Sequence, residues 1–183
     1  MKSTLLAATL IGAASLTQAA GFQLTSPQIK AGGTISQSFE FNGFGCSGEN
    51  KSPALKWSGA PKGTRSFAVT VYDPDAPSGS GWWHWMVINI PADVNELASD
   101  AGAVGGANLP RGAIQARIDY GVAGWGGVCP PQGDKPHRYI FTVHALKVDK
   151  LDVPADATAA LTGFMINGNA LGKASFTARY GRK

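Results

Sequence analysis

Phe67-Ala68-Val69-Thr70-Val71-Tyr72 runs straight into Asp73-Pro74-Asp75-Ala76-Pro77, and His84 then opens Trp85-Met86-Val87-Ile88-Asn89-Ile90. The first run is compact, β-branched and aromatic, which suits a pleated, half-buried surface. The last run is apolar on both faces, as a strand covered by a layer on each side must be. Prolines stiffen the loop between them. Asp73 precedes Pro74 and so favours an extended backbone, whereas Asp75, two residues on, is suited to capping the turn through its own side chain. The pattern predicts two strands buried in a sandwich, with carboxylates gathered where they meet a loop.

The rest of the chain extends this reading. Phe39 and Phe41 alternate with Ser38 and Glu40, Leu55 and Trp57 repeat the spacing, and Ile114, Ala116 and Ile118 alternate with Gln115, Arg117 and Asp119. Residues 139–148 form another long strand candidate. The 24 glycines and 11 prolines punctuate between these runs, as in a sandwich with long loops. A late helix is expected over 157–166, with Asp156 as N-cap, Leu161, Phe164 and Met165 on one face and Gly168 near its end. No repeat or linker divides the chain. The expectation is an all-β, single-domain β-sandwich with a few short helices and a C-terminal helix.

Residues 1–19 stand apart. Met1-Lys2 is a short positive start, residues 5–16 are apolar and broken only by small and hydroxyl residues, and Thr17-Gln18-Ala19 offers the small residues a signal peptidase reads. This predicts a secretory signal peptide at 1–19, cleaved after Ala19, with the folded domain at 20–183. The run is too short to span a bilayer, and no later segment looks like an anchor. The expected product is exported. The formal charge of the whole chain is only +4 and charged residues make up 15%, with basic residues clustered only at Arg179, Arg182 and Lys183. This lacks the basic face of a nucleic-acid binder. Cys46 and Cys129 are an even pair in an exported chain and predict a disulfide, set directly before Pro130-Pro131. The competing idea, a catalytic thiol, is opposed by oxidation in that compartment.

The second polar constellation is Pro130-Pro131 followed by His137-Arg138-Tyr139. On a strand, His137 and Tyr139 share a face. Arg138 points the other way, placed to pair with an acid such as Asp75. His144 is seven residues from His137 and packs against the opposite layer, outside the site. His84 stands at the rim where a loop feeds the buried strand. Two carboxylates, two histidines and a phenol thus converge as one small pocket. His84, His137 and Tyr139 can donate to a phosphate or carboxylate, and Asp73 favours a protonated histidine and fixes its orientation. Trp82, Trp83 and Trp125 are candidates for an apolar rim or for core packing. Asn50, Ser52 and Trp57 organise a loop and the core.

Three functional classes fit these residues. A binding module for a small anionic or phosphorylated ligand needs nothing more. A modulator of a protein target is the alternative. A general acid–base enzyme built on the aspartate, the histidines and the tyrosine is disfavoured, because no Gly-x-Ser-x-Gly elbow, free thiol or P-loop accompanies them. Asp73, His84 and His137 do not have the spacing of a recognised metal-ligand pattern. No enzyme activity, metal or cofactor is therefore expected.

Asp73-Pro74-Asp75-Ala76-Pro77, His84-Trp85, Pro130-Pro131 and His137-Arg138-Tyr139 together resemble the signatures of the phosphatidylethanolamine-binding protein family. Gly48-Glu49-Asn50-Lys51-Ser52-Pro53-Ala54-Leu55-Lys56-Trp57 and Asp119-Tyr120-Gly121 resemble its bacterial Raf kinase inhibitor-like (YbhB/YbcL) branch, and the exported, two-cysteine form looks most like the periplasmic members. The likeness spans about residues 22–180. It implies a large antiparallel β-sandwich with a small anion pocket. The residues matching that pocket are Asp73, His84, Pro131, His137 and Tyr139. It also implies that a kinase- or protease-inhibitor role is the main rival to simple ligand binding. The chain departs from the family's frequent Gly-Pro ahead of Cys-Pro-Pro, carrying Gly127-Val128, and has Trp125 where a tyrosine is common.

Overall fold

The computed structural model describes residues 21–183; the expected signal peptide lies outside them. Ten strands and one α-helix are formed among these residues. The strands are β1 (Gln23–Thr25), β2 (Asn42–Gly43), β3 (Cys46–Ser47), β4 (Leu55–Ser58), β5 (Ser66–Asp73), β6 (Trp82–Pro91), β7 (Glu96–Leu97), β8 (Ile114–Gln115), β9 (His137–Leu146) and β10 (Ala170–Tyr180). Helix α1 is Ala159–Asn169.

The pairings are all antiparallel. A five-stranded sheet in the order β10-β9-β5-β6-β8 faces a three-stranded sheet, β1-β4-β7, and β2 pairs with β3 in a small hairpin. The expected antiparallel sandwich is therefore what the chain forms. β5 is central because nearly every residue on it is buried. The pleat sorts β6 between two cores. Trp85, Val87 and Ile90 face the space between the sheets, packed with Phe67, Val69 and Val71. Met86 and Ile88 face the other side, where Ile166 of α1 closes a smaller cluster. This two-sided cover is what an apolar run without alternation requires.

Several expectations change on folding. Phe39 closes a 3-10 turn at Gln37–Phe39 rather than a strand. Of the alternating run at 114–118, only Ile114–Gln115 forms a strand against β6, and Arg117 makes an isolated antiparallel bridge to Ala123. The expected strand at 139–148 forms over His137–Leu146 instead. The 11-residue β10 alternates exposed Leu171, Lys173, Ser175 and Arg179 with buried Ala174, Phe176 and Ala178, and two alanines make its apolar side a weak signal. The helix starts two residues late, where the Thr158 hydroxyl accepts from Leu161 N at 3.1 Å, not at Asp156. It buries Ala159, Thr162, Gly163 and Ile166, and leaves Phe164 74% exposed. The close partner is the Trp83 ring, which a small residue at Gly163 admits. The apolar face read from the sequence thus points outward.

His144 packs into the smaller core, as expected, but only half of its polar tip is satisfied. A hydrogen bond joins its Nε2 to Thr70 Oγ1 at 3.2 Å, while Nδ1 is buried without a partner. Burial, aided by the Lys173 cation directly opposite on β10, pulls its pKa down to about 4. The folded pKa is depressed, so the contribution of this ring is fully present above about pH 6.5, where the unfolded histidine is also neutral. It is lost as pH falls toward 4. Urea unfolding should show a loss on the order of 3 kcal/mol across that window. The His144→Leu variant should remove most of that slope, and an unchanged slope would contradict the assignment.

Candidate functional site

The register of the large sheet builds the site. Asp73 is the last residue of β5 and pairs with Trp82, the first residue of β6, while β9 begins at His137. The ends of three adjacent strands therefore meet at one sheet edge. Two loops fold over this edge. One is the turn between β2 and β3, and the other is the stretch from Trp125 to Pro131. The Cys46–Cys129 disulfide ties them together, with Cα atoms 6.1 Å apart. The cavity beneath measures about 190 Å³ and is lined by Asp73, Ala76, Pro77, Trp82, His84, Tyr120, Pro130, Pro131 and His137, with Phe44 at its mouth.

Asp73 is almost wholly buried and uses both of its oxygens. Oδ1 accepts from the Asp75 backbone N at 2.8 Å, making the turn that the sequence assigned to Asp75. Oδ2 accepts from His137 Nδ1 at 2.7 Å. This contact leaves the other ring nitrogen, Nε2, as the atom through which His137 addresses its surroundings. Nε2 lies 3.4 Å from Oδ2 of Asp134, a half-exposed carboxylate that the sequence reading did not select. Asp75 instead faces Arg138, as anticipated. Its carboxylate receives the Arg138 backbone N at 2.8 Å and the guanidinium Nε and Nη2 at 2.7–3.2 Å. The two motifs are thereby clamped on both faces of β9, with His137 inside and Arg138 outside.

His84 is fixed differently. Its Nδ1 donates to the carbonyls of Gly126 at 2.7 Å and Gly127 at 3.2 Å. Carbonyl oxygens only accept, so Nδ1 carries a proton. Burial pushes the ring's pKa down, keeping it neutral. Nε2 of the neutral ring is then a lone-pair acceptor. His84 thus lines the cavity as expected for a site residue, with its Nδ1 proton committed to the loop. That loop must come close. A Cβ at Gly127 would run into the backbone of Glu40 and Phe41, and one at Gly126 into the Tyr120 ring. Asn50 holds it from below, with Oδ1 accepting from Gly127 N at 2.8 Å and Nδ2 donating to Trp125 O at 3.3 Å.

Tyr139 shares the inner face with His137, as its spacing requires, but does not line the cavity. It is fully buried, and its ring packs edge-on against His84 with centroids 5.1 Å apart. Its hydroxyl has no protein partner, and burial raises its pKa so that it stays protonated. The expected donor is thus a backing residue for His84. Of the three tryptophans, only Trp82 reaches the cavity. Trp125 belongs to the main core, and Trp83 stacks obliquely on Tyr72 at 4.5 Å. Sequence reasoning missed two aromatic walls. Tyr120 donates its hydroxyl to Gly127 O at 2.8 Å and meets Trp82 edge-on. Phe44 stacks on Tyr120 with centroids 5.9 Å apart, yet is 75% exposed and sits in the left-handed region at φ 52°. An apolar residue bracketed by Gly43 and Gly45, two residues before the first cysteine, was the available signal.

Among the described residues no cluster of three or more His, Cys, Asp or Glu side chains has the arrangement of a metal site. The chemistry on display is hydrogen bonding. It consists of one carboxylate-oriented histidine, one neutral acceptor histidine and an aromatic mouth. The Arg138 guanidinium holds Asp75 down to about 2. The pair is partly solvated, so water screens its coupling. A side-chain NMR titration should find Asp75 still ionised at pH 3, and Arg138→Ala should return it to the ordinary aspartate range near 3.9. A wild-type midpoint near 4 would contradict the pairing.

Comparison with known proteins places this geometry in context. The family model described as phosphatidylethanolamine-binding protein matches residues 25–181. The UPF0098 protein YbcL of Escherichia coli K12 is 54% identical over 180 residues, covering 98% of each chain. YbhB of the same organism is 46% identical over 158 residues, covering 86% of this chain and 99% of YbhB. The crystal structure of E. coli YbcL superposes with a TM-score of 0.87 at 57% identity, covering 90% of this chain and all of that one.

Proposed function

The chain belongs to the phosphatidylethanolamine-binding protein family, and on that premise we propose that it is an exported binding module whose cavity takes a small anion or phosphoryl group. The observation that carries this reading is the buried Asp73–His137 pair at the cavity wall. With Nδ1 engaged by the carboxylate, a protonated His137 offers Nε2–H as a charge-assisted donor. Its positive charge offsets Asp73, which alone would repel an anion. Pro130 and Pro131 fix the opposing wall. Phe44, Trp82 and Tyr120 give an organic substituent on the anion an apolar mouth to rest against.

Export is part of the same proposal. Residues 1–19 have the layout of a cleaved signal, and the Cys46–Cys129 bridge suits an oxidising compartment. No helix among the described residues is long and apolar enough to cross a membrane. N-terminal sequencing of the exported product should begin at Ala20, and a retained Met1 would contradict the export reading.

Binding needs a proton on the His137–Asp73 pair, so it should weaken as pH rises. Thermal unfolding of the oxidised mature protein should shift upward and saturably with inorganic phosphate, acetate or phosphoethanolamine. The shift should be larger at pH 6 than at pH 7.5, and should disappear in the His84→Ala, His137→Ala double variant. Affinity that strengthens steadily from pH 5.5 to 8, or no shift with any of the three, would overturn the reading and redirect attention to protein partners.

A further inference from the structure

The cavity is richer in hydrogen-bond acceptors than a general anion site would be. Asp73 contributes a carboxylate, and Asp134 places another 3.4 Å from His137 Nε2. His84 adds a third acceptor because its Nδ1 proton is committed to Gly126 and Gly127. Its Nε2 makes no hydrogen bond to the protein among the described residues. The ring lines the cavity, and Nε2 is not among the sealed, unpartnered nitrogens.

The groups around His84 keep it in this state. Asp73 at the end of β5 is already bonded to His137. Asp119 accepts the Trp83 backbone N at 2.8 Å. The phenols of Tyr120 and Tyr139 both remain protonated because burial raises their pKa values. The two carboxylates favour a charged ring, but desolvation outweighs them. No group among the described residues supplies His84 Nε2 with a proton. A ligand that occupies the cavity must therefore either supply one or leave a buried acceptor unpaired, which is costly.

We infer that His84 is a specificity-determining acceptor, and that the cavity selects oxyanions that still carry a proton, such as phosphate, over equally sized oxyanions that carry none, such as sulfate. This inference rests on the proposed anion-binding reading and narrows its ligand class. A hydrogen phosphate places its P–O–H proton on His84 Nε2 and an unprotonated oxygen on His137 Nε2–H. It displaces the half-exposed Asp134 carboxylate as it does so. Sulfate has four acceptor oxygens and no donor. Its greater charge at pH 6 would favour it at a purely electrostatic site, so the two mechanisms predict opposite rankings.

Isothermal titration of the mature protein with inorganic phosphate and with sulfate at pH 6 and fixed ionic strength tests this. Phosphate should bind at least about fivefold more tightly, the smallest ratio expected from one unpaired buried acceptor. In His84→Gln, whose amide can present either a donor or an acceptor, the ratio should fall toward one. Sulfate binding as tightly as phosphate overturns the inference while leaving the anion site in place. Binding of neither removes the anion site itself and the inference with it. Should His84→Gln not fold, 15N NMR of the wild-type histidines in the phosphate complex decides. An Nδ1-protonated, Nε2-unprotonated His84 supports the proposal, and an Nε2–H or doubly protonated ring overturns it.

Discussion

The site depends on a single carboxylate that touches almost no solvent. Asp73 spends one oxygen on the Asp75 backbone N and the other on His137 Nδ1. The first bond turns the chain out of β5, and the second fixes the ring that opens β9. Removing one member of such a buried pair strands the other, and that penalty typically exceeds the pair's net contribution. The strands were already adjacent by register. What Asp73 adds is a fixed rotamer for His137 and a fixed direction for its free nitrogen. The Arg138–Asp75 contact on the outer face repeats the link at lower strength because water screens it.

His84 shows the same economy applied to a loop. Two glycine carbonyls absorb its Nδ1 proton, and those carbonyls are in reach only because Gly126 and Gly127 pack against Tyr120 and the Phe41 backbone without a Cβ. Asn50 and the Cys46–Cys129 bridge hold the loop from the other side. Arg182 adds to the bracing by donating from Nε to Pro130 O at 2.7 Å and from Nη1 to Gly45 O at 2.7 Å. The ligand-facing chemistry is thus set by tautomers. Both histidines commit their Nδ1 proton to the protein, one to a carboxylate and the other to carbonyls, so each is left with Nε2 to address its surroundings.

Much of this was legible from residue order. The unbroken apolar run at 85–90 specified a strand covered on both faces. The His137–Arg138–Tyr139 alternation specified which side chains turn inward, and an even cysteine pair specified the bridge. The parts that were not legible depend on close approach. Whether Tyr139 lines the cavity or stands behind His84 turns on a few ångströms of packing depth, which a period of two does not encode. The role of His84 depends on a partner 42 residues away. Helix α1 misled because its sheet-facing side needed small residues against Trp83, so the larger side chains Leu161 and Phe164 were the ones left outside. β10 was missed because the buried half of its alternation is mostly small, with Ala174 and Ala178 flanking Phe176, so its apolar signal is weak.

Whether the cavity between His84 and His137 takes a small anion is decided by a crystal structure of the mature, oxidised protein grown with inorganic phosphate. The expected result is tetrahedral density inside the cavity, with one oxygen within hydrogen-bond reach of His84 Nε2 and another within reach of His137 Nε2, while His137 Nδ1 keeps its contact to Asp73. An empty cavity at saturating phosphate, or an anion held only by surface cations such as Lys135 and Arg179, would contradict it.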